Sequence, residues 1–144
     1  MQQIQALVKN GDIQQAWNLL QKIAESDYDQ QAYYLAAVCN RYLNNPNIAL
    51  NYITKLLHLN AKHARAYQEQ AYNYLLLQQS EKAQFALLTA LKLNPSLVGA
   101  WRKLAEIYQI TQQDKLADNA LANAEYYQNL PLHIRSGYSK FYEG

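Results

Sequence analysis

The chain has 144 residues, half of them apolar by a broad count, with a formal net charge of +2, four glycines, three prolines and one cysteine. That length fits one domain or one solenoid, and the scarcity of glycine and proline favours long helices over strands and turns. The mild charge lacks the strong basic excess usual in nucleic-acid binders, and Cys39 alone excludes an intrachain disulfide framework.

Met1-Gln2-Gln3-Ile4 lacks the basic region and apolar run of a secretory leader. No run of about 18 apolar residues follows, so a soluble, cytoplasmic protein with no membrane partner is expected. Residues 2–9 read as the end of a first helix. Asn10-Gly11-Asp12 is a turn, with Gly11 suited to the left-handed conformation and Asp12 to a cap. The spacing predicts a helix over 13–25, with Trp17 as a packing residue. Ser26-Asp27-Tyr28-Asp29 interrupts it and offers caps for a helix at 30–43. Asn44-Asn45-Pro46 starts the next, with Asn45 as cap and Pro46 in the first turn, running to about His58.

Asn60 is expected to begin a central hairpin, and Asn94-Pro95 the one after it. Residues 64–95 read as two amphipathic helices joined near Gln78-Gln79-Ser80. Residues 97–110 and 113–126 form a further pair. Gln128-Asn129-Leu130-Pro131 is another cap-and-proline start. A last helix is expected over 131–142, and Tyr142-Glu143-Gly144 resembles the helix end at Lys9-Asn10-Gly11.

A repeat underlies these elements. Tyr67, Ala71, Tyr74, Ala83, Leu87 and Ala90 return 34 residues later as Trp101, Ala105, Tyr108, Ala117, Leu121 and Ala124. Shifted the same distance earlier, Tyr33, Ala37, Ala49 and Ile53 keep the character, while Asn40 and Leu56 depart. Ala16, Leu20 and Ile23 echo Ala49, Ile53 and Leu56 at a spacing of 33. A fixed period of this length signals stacked helical hairpins. The alanines let antiparallel helices approach, and the large residues fill the gaps between them. The expected organisation is a partial repeat at 1–28 and repeats at 30–61, 64–95 and 98–129. Residues 130–144 then form either a capping helix or the start of a further repeat that is cut short.

This pattern resembles the tetratricopeptide repeat: a large residue, a small one four on, an aromatic three further, then Ala, an aromatic or Leu, Ala, and a closing Pro. Residues 64–95 match nearly throughout, with Gln70 where the family prefers Leu. Residues 98–129 end on Asn129 in place of proline, and residues 30–61 depart at Asn40, Leu56 and Ala61. The resemblance implies an all-α, right-handed superhelical solenoid of antiparallel hairpins. It also implies that the first helix of each hairpin lines a concave groove that binds protein or peptide. In that register the groove residues are Tyr34, Arg41 and Tyr42, then Arg65, Gln68 and Tyr72, then Arg102, Glu106 and Gln109. Leu75 and Leu76 share the face. Tyr and Arg are frequent binding hot spots, offering flat apolar area and bidentate donors for carboxylates. An extended peptide with acidic and apolar side chains would suit such a face; the alternative is a solvated, packing surface. One subtype of the family grips an acidic C-terminal peptide through lysines and asparagines. Here those positions carry Met1, Gln5, Leu35, Gly99 and Lys103, and only Lys103 is compatible.

Catalytic motifs are missing: no glycine-rich phosphate loop, G-x-S-x-G, H-E-x-x-H or C-x-x-C occurs. His58 and His63 lie five apart across a predicted turn, which does not suit a zinc pair on one helix face. Cys39 reads as a buried core thiol. This chain is therefore expected to be non-catalytic, with no cofactor and no metal. A second, less specific resemblance lies in Ala64–Glu69, Leu97–Ala105 and the stretch from Leu130 onward. These look like the repeat region before the catalytic domain of bacterial tetratricopeptide sulfotransferases. That resemblance implies an alternative role as a substrate-positioning or dimerising region of a larger enzyme. A third reading is a homodimer through an uncapped solenoid end, using Leu132, Ile134 and Phe141. RNA-reading repeats use a defined side-chain pair in each unit, and no consistent pair occurs here.

Overall fold

The computed structural model describes residues 1–143, and every regular element among them is helical. The α-helices are α1 (Gln2–Lys9), α2 (Ile13–Gln21), α3 (Gln30–Tyr42), α4 (Pro46–Leu59), α5 (Ala64–Leu76), α6 (Ser80–Leu93), α7 (Val98–Ile110), α8 (Asp114–Gln128) and α9 (Leu132–Glu143). A short 3₁₀ turn at Glu25–Asp27 follows α2. The helices pair as hairpins α1–α2, α3–α4, α5–α6 and α7–α8, and each hairpin packs on the next. The expected stop at Gly144 lies outside the described residues.

Every hairpin turn is built the same way. Gly11, Asn44, Gln78 and Gln112 have φ of 87°, 60°, 58° and 58°. Each follows a helix end in a Schellman arrangement, which satisfies carbonyls that the helix terminus would leave unpaired. The N–H of the next residue reaches back to the last turn: Asp12 to Leu7 O at 2.8 Å, Asn45 to Asn40 O at 2.7 Å, Gln79 to Tyr74 O at 2.9 Å, Gln113 to Tyr108 O at 2.8 Å. The left-handed residue is glycine in only the first of the four.

Several local expectations are corrected. The helix expected over 13–25 stops at Gln21. There the Tyr28 hydroxyl donates to Leu20 O at 2.8 Å, taking the carbonyl that a longer helix would use. Asp12 and Asn45 stand at the N-cap positions, but neither side chain makes the capping bond. Asp29 does, accepting from Ala32 N at 2.9 Å. Asn60 and Asn94 close α4 and α6 rather than opening hairpins. Asn60 Oδ1 accepts from Lys62 N at 3.1 Å and Asn94 Oδ1 from Ser96 N at 3.0 Å, as in Asx turns. His63 then caps α5, its Nδ1 accepting from Ala66 N at 3.1 Å.

The core follows the repeat. Ala49, Ala71, Ala83 and Ala90 are fully buried, as are Ile53, Leu56 and Leu87. Ala32, Ala66 and Ala100 sit early in α3, α5 and α7. They are buried at 3%, 0% and 0% exposure in clusters shared with the preceding helix. Only a small side chain allows that approach. Asn40, off the repeat pattern, is buried and donates to Ala36 O at 2.8 Å. Cys39 is buried as expected, and burial pushes its thiol pKa from 9.0 up to about 11. Trp17 packs edge-on against Tyr52, centroids 5.9 Å apart.

Helix α9 breaks the stacking rule. α5 lies along α4 and α7 along α6, but among the described residues α9 does not lie along α8 in this way. Its Leu132, Arg135, Ser136 and Lys140 instead border a cleft with Arg65 and Ser96. The early alanine of α3, α5 and α7 is replaced in α9 by Ile134, and the large residue after it by Arg135.

Candidate functional site, the groove along the first helices

The first helices α3, α5 and α7 together line one groove of about 670 Å³. Its walls are Arg41, Tyr42 and Asn44 from α3 and its turn, Tyr72, Leu75 and Leu76 from α5, and Lys103 from α7. α3 and α5 contribute residues from their C-terminal ends, and α7 contributes Lys103 from its first half.

Arg41 and Glu69 are the electrostatic centre of this region. Arg41 Nε donates to Glu69 Oε2 at 2.7 Å and Nη2 to Oε1 at 2.9 Å, a two-pronged pair across α3 and α5. The Glu69 side chain is 5% exposed and that of Arg41 20%. Burial acts to lower the Arg41 pKa, but the hydrogen-bonded Glu69 carboxylate overrides it and leaves the value raised. The same guanidinium lies 4.3 Å from the Tyr42 ring centroid and 5.0 Å from that of Tyr72. It is held between two aromatic faces, as cation–π attraction favours.

The rest of the groove is supported from behind. Gln68 Nε2 donates to Tyr72 Oη at 2.7 Å. Burial raises the Tyr72 hydroxyl pKa, and the Gln68 donor partly counters it. This pair presses against α7 at Gly99, where an added Cβ would stand 2.9 Å from Tyr72 Oη. Gly99 therefore permits the approach of α7 to α5. Lys103 carries the cation on the α7 side and lies 3.2 Å from Glu106 Oε2, an exposed pair one turn apart. Tyr42, 59% exposed, and Leu76, 48% exposed, present the open apolar area.

The nine residues read from the sequence do not form one site. Arg41, Tyr42 and Tyr72 are together in the groove, Gln68 supports it and Glu106 touches its lysine. Arg41 is not available as a bidentate donor to a ligand, because Glu69 occupies its fork. Tyr34 stacks on His63, centroids 5.7 Å apart, and burial raises its hydroxyl pKa. Arg65 borders the cleft beside α9. Arg102 Nη2 donates to Gln128 Oε1 at 3.3 Å, facing the end of α8. Gln109 is exposed and lines no part of the groove. Sequence reading missed Asn44 and the buried acid Glu69, and it treated Lys103 only as a remnant of another subtype. An acid where the flanking repeats carry Leu35 and Lys103 was the visible signal for Glu69.

No family model and no curated protein matches the chain. Solved structures do. A crystal structure of MamA is 19% identical with a TM-score of 0.75, over 87% of this chain and 74% of that one. MamA from residue 41 to its end, from Desulfovibrio magneticus RS-1, is 21% identical with a TM-score of 0.75, over 88% and 72%. YrrB, described as a TPR protein with an unusual peptide-binding site, is 17% identical with a TM-score of 0.70, over 95% and 70%. These likenesses show the fold, an all-α solenoid of the tetratricopeptide type. They lend no support to the sulfotransferase resemblance.

Proposed function

We propose that the chain is a non-catalytic protein-interaction module that holds a peptide segment in the groove between Tyr42 and Lys103. The observation that carries this reading is the groove's composition: exposed tyrosine and leucine area with one lysine ammonium at its edge. Its volume, about 670 Å³, falls in the range of pockets that take a few large side chains. Arg41, neutralised by Glu69, keeps Tyr42 and Tyr72 in place instead of reading charge. The favoured ligand has one large apolar side chain for the tyrosine–leucine wall and one acidic side chain close by for Lys103. Peptide binding in YrrB is a property of that protein, and the shared fold makes it a reasonable model for this one.

The test is selection of peptides from a random display library on the purified chain, followed by titration of the winners. The expected result is an apolar–acidic consensus, with Tyr42→Ala weakening binding about tenfold or more, as hot-spot truncations do. Lys103→Glu should then lower affinity for acidic winners and spare neutral ones. Selected peptides that bind both variants as well as the parent would remove the groove from the proposal. Tyr42 and Lys103 are exposed or partly exposed, so neither change should disturb folding.

A further inference from the structure

We infer that two copies of this chain pair through a two-fold contact of their α8–α9 faces. The inference does not rest on the peptide-groove reading, since the residues concerned lie elsewhere.

A continuous aromatic band carries it. Tyr126 meets Tyr127 at 5.0 Å between centroids, Tyr127 meets Tyr138 at 5.5 Å, Tyr138 meets Tyr142 at 6.2 Å, and Tyr142 meets Phe141 at 5.0 Å. The band runs unbroken from α8 onto α9. Much of it faces outward: Tyr126 is 55% exposed, Phe141 80%, Tyr142 40%, and neighbouring Ile134 is 40% exposed. Leu132 belongs to the other face of α9, beside Arg65, and is not part of this surface.

Area selects the kind of occupant. With about 200 Å² for each large side chain, the exposed part of the band is on the order of 400–500 Å². A stable protein contact covers about 800 Å² a side, a little over half of it apolar. The band alone is therefore large enough to form the apolar centre of a dimer interface, and it lies at the upper end of what monomers leave uncovered, where such patches are often functional.

Helix α1 decides the symmetry. On α1, Ile4 is turned inward, while Gln2, Gln3, Gln5 and Lys9 are exposed. That polar face offers no mate for the aromatic band. A head-to-tail joint would pair the two unlike ends and, if it did not close into a ring, would grow into filaments. Apolar surface concentrated on α8 and α9 favours that face meeting its own copy, which closes at two chains.

The experiment is sedimentation velocity on the full chain over rising concentration. The expected result is a shift from 16.6 kDa toward twice that mass, with no larger species. The paired substitution Ile134→Ser and Phe141→Ser should weaken the dimer about tenfold or more. Phe85→Ser, an equally prominent exposed aromatic at 75% exposure on α6, should leave it unchanged. Circular dichroism of each variant checks that the helices remain. A strict monomer at the highest concentration overturns the inference. So does an open-ended series of masses, or a dimer weakened by Phe85→Ser and not by the α9 pair.

Discussion

Ile53 on α4 and Leu87 on α6 are fully buried, whereas Leu121, at the same point of the repeat on α8, is 42% exposed. The three side chains are of one type and one register. What differs is the next helix. α5 covers α4, α7 covers α6, and α9 does not take the corresponding place on α8. In a solenoid, then, a repeat position has no fixed energetic value, because part of its burial is supplied by its neighbour. The interior of the molecule and its α8 end are built from the same residues and should respond differently to the same change.

The sharpest way to break that comparison is to truncate the matched leucines. Leu87→Ala should cost about 2–5 kcal/mol, since the site is closed on all sides. Leu121→Ala should cost well under half of that in the monomer, because much of its side chain is already in water. Urea unfolding of both variants at low protein concentration measures the gap. Equal losses would mean that α8 is covered in solution even by the lone chain.

A second comparison sets the two groove cations side by side. Arg41→Ala removes one half of a buried pair and strands the Glu69 carboxylate, for an expected loss of about 3–5 kcal/mol. Lys103→Ala removes an exposed one-turn pair and should shift stability by no more than about 0.5 kcal/mol. If Arg41→Ala proves as mild as Lys103→Ala, Glu69 has found water, and the junction between α3 and α5 is looser than its geometry implies.

The smallest expected effect concerns the turns. Gln78 holds φ of 58°, where a side chain is strained and glycine is not. Gln78→Gly should raise stability by roughly 0.5–1 kcal/mol, as placing glycine in a left-handed site does. The same change at Gln112 should match it, since both turns share one geometry. Unequal gains, read from thermal melts, would show that the last hairpin closes differently from the middle one.

The period of 34, the hairpins, the alanine contacts and the placing of Trp17 and Cys39 were legible in the chain, because each depends on residues close together or on a spacing that recurs. The capping errors had a local cause too. Asp12, Asn45 and Asn60 are good cap residues, but whether the side chain makes the capping bond, and which helix end it serves, depends on local backbone geometry. The groove was legible as a face but not as a site. Tyr42 and Tyr72 belong to one wall, while Tyr34, Arg65 and Arg102 on the same register turn to other contacts.

By itself the sequence determined the class of fold, the number and order of the helices and the left-handed turn at Gly11, since short-range hydrogen bonding and the spacing of small and large side chains leave few alternatives. The tertiary structure alone decided the rest. Arg41 and Glu69 are 28 residues apart and meet only because α3 and α5 stand side by side, which turns a candidate ligand donor into an internal brace. Ile134 stands where α3, α5 and α7 carry alanine, a residue too large for the close approach those helices make, and α9 leaves the stack with the aromatic band exposed. Both outcomes depend on how closely two helix axes approach, a quantity set by all the side chains between them at once.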